Sequence, residues 1–191
     1  MLIEAALATA IQHSNPAVTE PRASQYASWV AEAALKNHTD PWIFIAIINR
    51  ETGWNPELVR RESNGTCSVG LGQINSLGPC TTDHIATYTD PHANIERMGK
   101  LFYIFHETCR EDCGDMHWLR RYNPGSPAYL AAIIQAVKNY HAQTGEPVVL
   151  PVPAPVHVAG VSRPSGGGTS HVSRVDPRHD HPTRHDKSGR R

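Results

Sequence analysis

Residues 42–48, WIFIAII, run for seven positions without a polar side chain. They constrain the fold more than any other stretch. Asp40 and Pro41 precede the run, an N-cap residue followed by proline at the first helical position. Glu51 and Gly53 follow it, and the glycine is a C-terminal stop signal. The spacing predicts a helix over about 41–51. Seven consecutive apolar residues cover every side of a helix, so this one belongs at the centre of a core. Other elements have to surround it, and 191 residues suffice for one such domain with appendages.

Candidate partners for that helix are visible on both sides. Residues 24–36, SQYASWVAEAALK, are alanine-rich with apolar positions at helical spacing. The N-terminus, MLIEAALATAIQHS, lacks a basic leader region and carries Glu4 inside its apolar part. We expect an amphipathic helix there, not a signal peptide. Residues 91–113 place apolar side chains at 95, 98, 101, 102 and 105, a second amphipathic helix expected to end at Gly114. Residues 126–142 form another, with Ser126 as cap and Pro127 at the first helical position.

Between them, residues 62–82 are rich in Gly, Ser and Asn without helical periodicity, so a loop with a short hairpin is expected. The expected fold class is therefore mostly α. The domain spans 1–145, with its core over about 20–145, and residues 146–191 make a disordered Pro/Gly/His/Arg-rich tail.

Charge excludes some functions. Residues 1–150 carry 11 Lys/Arg against 15 Asp/Glu, and residues 151–191 carry 7 against 3. A mildly acidic body with a basic tail does not suit a nucleic-acid-binding domain. No apolar stretch approaches the roughly 20 residues of a membrane span.

Glu51 stands out chemically. Phe44, Ile47 and Ile48 lie seven, four and three residues before it, so its side chain shares their apolar helical face. Desolvation and the partial negative charge of a helix C-terminus both favour the protonated acid, which a general acid requires. A helix-end glutamate turned into water is the alternative.

Three segments decide how Glu51 is read. "ETGWNP" (51–56), "GLGQIN" (70–75) and "RYNPGSPAY" (121–129) occur in that order, with "TDPHANIERMG" (89–99) between the last two. Together they resemble the lytic transglycosylase domain of lysozyme-like, goose-type fold, over about residues 38–140. The small members that accompany type IV secretion and conjugation machines are the most similar. The resemblance implies cleavage of the β-1,4 bond between N-acetylmuramic acid and N-acetylglucosamine in peptidoglycan, with Glu51 as the single acid/base and no cofactor. It implies that Thr52, Ser68, Gly70, Gln73, Asn75 and Asn123 contact substrate, and that Tyr122 hydrogen-bonds near Glu51 or an N-acetyl group. It implies a monomer of the periplasm, the cell envelope or the exterior, acting on glycan strands and serving a secretion, conjugation or phage assembly.

Two departures stand in the motifs. Thr52 replaces the usual serine, keeping the hydroxyl. Gly72 stands where many members have methionine, which predicts a more open groove floor. A rival on the same fold is a hydrolytic muramidase using Asp83 or Asp90 as a second acid. A rival of another class is a non-catalytic glycan-binding or assembly subunit.

The four cysteines, an even set, suggest disulfides. The expected pairs are Cys67–Cys80, stapling the glycine-rich loop, and Cys109–Cys113, near the upper separation of about 6–7 Å that a disulfide allows. A Cys67–Cys109 link stays open as the alternative. His106, Cys109, Cys113 and His117 also have zinc-like spacing, but a helix ending at Gly114 would separate His117 from the rest. The five tail histidines (157, 171, 179, 181 and 185) suit a solvated segment, and "ESN" (62–64) a loop charge.

Overall fold

A computed structural model describes residues 2–109 and 114–145. The chain divides into two units, Met1–Ala154 and Pro155–Arg191. The second lies wholly outside the described residues, as does the expected disordered tail, 146–191.

The fold is mostly helical, with one small sheet. Six α-helices, α1 (Leu2–Ser14), α2 (Glu20–Lys36), α3 (Pro41–Glu51), α4 (Thr82–Thr89), α5 (Pro91–Glu107) and α6 (Pro127–Thr144), are joined by strands β1 (Val59–Arg61), β2 (Cys67–Val69) and β3 (Ile74–Asn75), with a 3-10 helix at Gly114–Arg121. The sheet is antiparallel in the order β1-β2-β3. Val59 faces Val69 in the first pair, and Val69 faces Ile74 in the second. No described helix is long and apolar enough to cross a membrane.

Helix α3 is the central helix that its sequence demands. Asp40 accepts from the Trp42 amide at 2.9 Å, Pro41 opens the helix, and Trp42 to Ile48 are all buried. Phe44 meets Phe102 of α5 edge to face at 4.9 Å, and Trp42 stacks on Tyr140 of α6 at 5.0 Å. Gly53 takes a left-handed φ of +58° and its amide bonds back to the Ile48 carbonyl, which turns the chain. Trp54 then folds inward: it is buried, stacks on Tyr26 and donates its indole N–H to Ser14 and Asn49.

Three boundaries differ from the sequence reading. Leu7 and Ile11 of α1 are fully buried, so the core begins well before residue 20. Residues 82–89, expected as irregular chain, form α4, capped by Thr81, which accepts from the His84 amide. Helix α5 stops at Glu107 instead of running to 113. Arg121 donates to the Thr108 hydroxyl and, at 3.0 Å, to the Thr108 carbonyl, satisfying the helix end from a distant segment.

Cys67 and Cys80 form the expected disulfide. The Cys109–Cys113 pair depends on Cys113, which lies outside the described residues. No described cysteine is free.

Candidate functional site

Glu51 ends the buried helix and is itself half-buried, so its carboxylate sits at the edge of the core and is not sealed within it. Tyr129, at the start of α6, donates its hydroxyl to Glu51 Oε1 at 2.6 Å. Local sequence places this tyrosine. Ser126 caps α6 through the Tyr129 amide and Pro127 opens the helix, fixing Tyr129 in the first turn. The Arg50 guanidinium lies 5.3 Å from the centre of the Tyr129 ring. Burial, then the hydrogen bond to Glu51 and its negative charge, hold the Tyr129 phenol far above its ordinary pKa. It therefore stays a donor at any physiological pH.

The segment 70–75 wraps this corner and is built to a fixed shape. Gly70 has φ +70°, and a side chain there would overlap the Tyr88 carbonyl. Asn94 of α5, fully buried, accepts from the Gly72 amide at 2.8 Å and donates to the carbonyls of Val69 and Tyr88 at 2.9 and 2.8 Å. One side chain thus satisfies three backbone groups that no water reaches. Thr52 donates to the Leu71 carbonyl at 3.0 Å, tying the end of α3 to the same loop. The hydroxyl that Thr52 keeps is structural.

The floor at Gly72 is closed, which corrects the expectation of an open groove. A Cβ at 72 would clash with the buried Met98 side chain and lie 2.7 Å from the Tyr122 hydroxyl. Met98 fills from α5 the space that a larger residue at 72 would take.

Tyr122 is brought to the site, but by a different bond from the one expected. Its hydroxyl donates to the Gly72 carbonyl, and Tyr129 holds Glu51 instead. Burial and the Glu51 charge push the Tyr122 phenol well up as well. Gln73 has φ +51° and donates Nε2 to the carbonyls of Leu58 and Gly70, while its buried Oε1 has no partner.

Ser68 and Asn75 are neighbours on the exposed side of the sheet, with Asn75 Nδ2 3.4 Å from Ser68 Oγ. Asn123 lies in the turn before α6, its carbonyl accepting from the Ser126 amide at 3.4 Å. Of the two alternative acids, Asp90 caps α5 through the Ala93 amide at 2.7 Å, and Asp83 is exposed in the first turn of α4.

Sequence reasoning missed Tyr129 and Asn94 as site residues, although both lie in quoted motifs. The signal for Tyr129 was its place one turn into a proline-started helix. Asn94 was signalled by a polar residue on an otherwise apolar face of α5. No group of three His, Cys, Asp or Glu suited to a metal ion occurs among the described residues. Compared with protein families, with curated proteins and with solved structures, the chain matches none.

Proposed function

We propose that this chain is a peptidoglycan lytic transglycosylase of lysozyme-like fold, with Glu51 as the single acid/base. The observation that carries the proposal is the setting of Glu51: a half-buried carboxylate at the end of a buried helix, hydrogen-bonded by Tyr129 and bordered by the rigid 70–75 loop.

One carboxylate suffices if the nucleophile belongs to the substrate. Protonated Glu51 gives its proton to the glycosidic oxygen as the bond from muramyl C1 to that oxygen breaks. The C6 hydroxyl of the same sugar then forms the new bond to C1. Glu51 accepts the hydroxyl proton and returns to its starting state, so every proton is accounted for. Intramolecular attack benefits from a high effective concentration and needs no positioned water. Tyr129 orients the carboxyl group throughout, since its own proton is held too tightly to transfer. The Tyr122 bond to Gly72 and the Asn94 cluster keep the loop fixed against the substrate.

The Cys67–Cys80 bridge is in keeping with an oxidising compartment such as the periplasm or cell exterior. A role beside a secretion, conjugation or phage assembly is the biological setting that the motifs favour.

Mass spectrometry of fragments released from purified sacculi tests the proposal. The expected fragments end in 1,6-anhydro-muramyl groups, lighter by one water than reducing ends. Reducing ends alone point to a hydrolytic muramidase. No release at all points to a glycan-binding or assembly subunit. Glu51→Gln, which cannot donate the proton, should lose about 10²- to 10⁴-fold in rate or more.

A further inference from the structure

A small cavity of about 130 Å³ lies beside the site, bounded by the 73–77 segment, α5 and the 3-10 helix. Gln73, Arg97, Leu101, Phe105, Arg121 and Tyr122 contribute to its lining, and no acidic residue does. Arg97 is half-buried and forms no ion pair among the described residues. Arg121 is held in place by the hydroxyl and carbonyl of Thr108, both neutral acceptors. Two positive charges therefore face the cavity walls without a counter-ion, one of them already oriented.

Gln73 adds a second demand. Its Nε2 is committed to two backbone carbonyls, which fixes the orientation of the amide and leaves Oε1 buried and unpartnered. A buried acceptor without a partner marks a place for an incoming N–H or O–H. Leu101 and Phe105 supply an apolar wall. A carboxylate with an amide N–H beside it and a short aliphatic part meets all three demands. Ligand sites commonly measure about 300–1,000 Å³, so this cavity suits a substituent of a larger ligand.

We propose that the cavity receives the acidic peptide stem of the muramyl residue. The inference rests on the transglycosylase reading and adds a substrate preference to it. In peptidoglycan the stem hangs from the lactyl group of the sugar whose C1 bond breaks, so a stem pocket has to adjoin the acid. Tyr122 meets this condition: it lines the cavity while its hydroxyl is bonded to Gly72 in the loop beside Glu51. The chain then prefers peptide-bearing strands over strands stripped of peptide.

Arg97→Met and Arg97→Lys, each verified as folded by its melting temperature, test the proposal on two substrates: intact sacculi and amidase-stripped glycan strands. Arg97→Met should raise KM on peptide-bearing strands about tenfold with kcat nearly unchanged, and leave stripped strands unaffected. Arg97→Lys should recover part of the loss, because it keeps the charge without the fork. An equal fall on both substrates, or no change on either, overturns the stem pocket.

A binding measurement separates this failure from failure of the function itself. N-acetylmuramyl-L-alanyl-D-glutamate is titrated calorimetrically into wild type and Arg97→Met, with the fully amidated analogue as control. Binding of the charged probe by wild type alone, in a protein that cleaves no strand, keeps the pocket and removes the lytic reading. Cleavage with equal or absent binding of the two probes keeps the lytic reading and overturns the pocket.

Discussion

Tyr129 and Glu51 lie 78 residues apart in the chain and 2.6 Å apart in space, phenol oxygen to carboxylate oxygen. The bond joins the first turn of α6 to the last turn of α3, and with it the two segments that the site needs together. A hydrogen bond to a charged group is worth about 1.5–3 kcal/mol, and each 1.36 kcal/mol is a factor of ten in rate.

Tyr129→Phe keeps the ring against Arg50 and removes only the donor. Its kcat for release of muropeptides should fall about 10- to 100-fold, with KM nearly unchanged and the melting temperature within a few degrees of wild type. A loss confined to KM would mean that Tyr129 contacts substrate and does not position the acid.

The tyrosines also predict an alkaline weakness. Burial raises the phenol pKa of Tyr122, Tyr129, Tyr26 and Tyr140 in the folded chain, with the Glu51 charge adding to the first two. Below about pH 10, the ordinary phenol value, folded and unfolded chains hold the same protons and stability is undiminished. Above it the unfolded chain releases protons that the folded chain keeps, so stability falls with rising pH. Each such phenol contributes a slope of up to about 1.4 kcal/mol per pH unit. Melting curves between pH 8 and 11 should decline from about pH 10, and less steeply in Tyr129→Phe.

Gly72 and Met98 share one space, so their substitutions should couple. Gly72→Met forces a side chain into a filled site and should destabilise by roughly 1–3 kcal/mol. It should also displace the Tyr122 hydroxyl and lower activity. Combined with Met98→Ala, which opens the space from the other side, the double variant should be more stable than the sum of the single losses predicts. Urea unfolding of the four proteins of the cycle measures this coupling, expected at about 0.5–3 kcal/mol. Strict additivity would show that Met98 does not occupy the space beside Gly72.

The Cys67–Cys80 bridge closes a short loop, with a sequence separation of 13, around the segment that carries Gly70 to Asn75. Replacing both cysteines by serine should cost roughly 3 kcal/mol in urea unfolding, the loop-closure value for about 15 residues. Activity should fall at temperatures where wild type is fully active, since the loop borders Glu51. Unchanged stability would mean that the sheet alone holds the loop.

What the sequence by itself determined is what short-range chemistry encodes. Asp40, Pro41 and Gly53 mark the ends of α3, and Ser126 and Pro127 mark the start of α6. Each signal acts within a turn of its own position. The apolar run over 42–48 likewise announced its burial, because no arrangement leaves such a helix in water. The prominence of Glu51 followed from the same run.

Only the tertiary structure decided which hydroxyl meets Glu51, because Tyr122 and Tyr129 sit in one motif and either could reach a site built from α3. The path of the turn before α6 sends Tyr129 to the acid and Tyr122 to the Gly72 carbonyl. The early end of α5 is of the same kind, since its cap is Arg121, 13 residues beyond Thr108. So is the floor at Gly72, whose size depends on where Met98 lies, 26 positions later in the sequence. Side-chain volume and hydrogen-bonding capacity can be read at each residue, but which partner uses them is set by packing between elements distant in the chain.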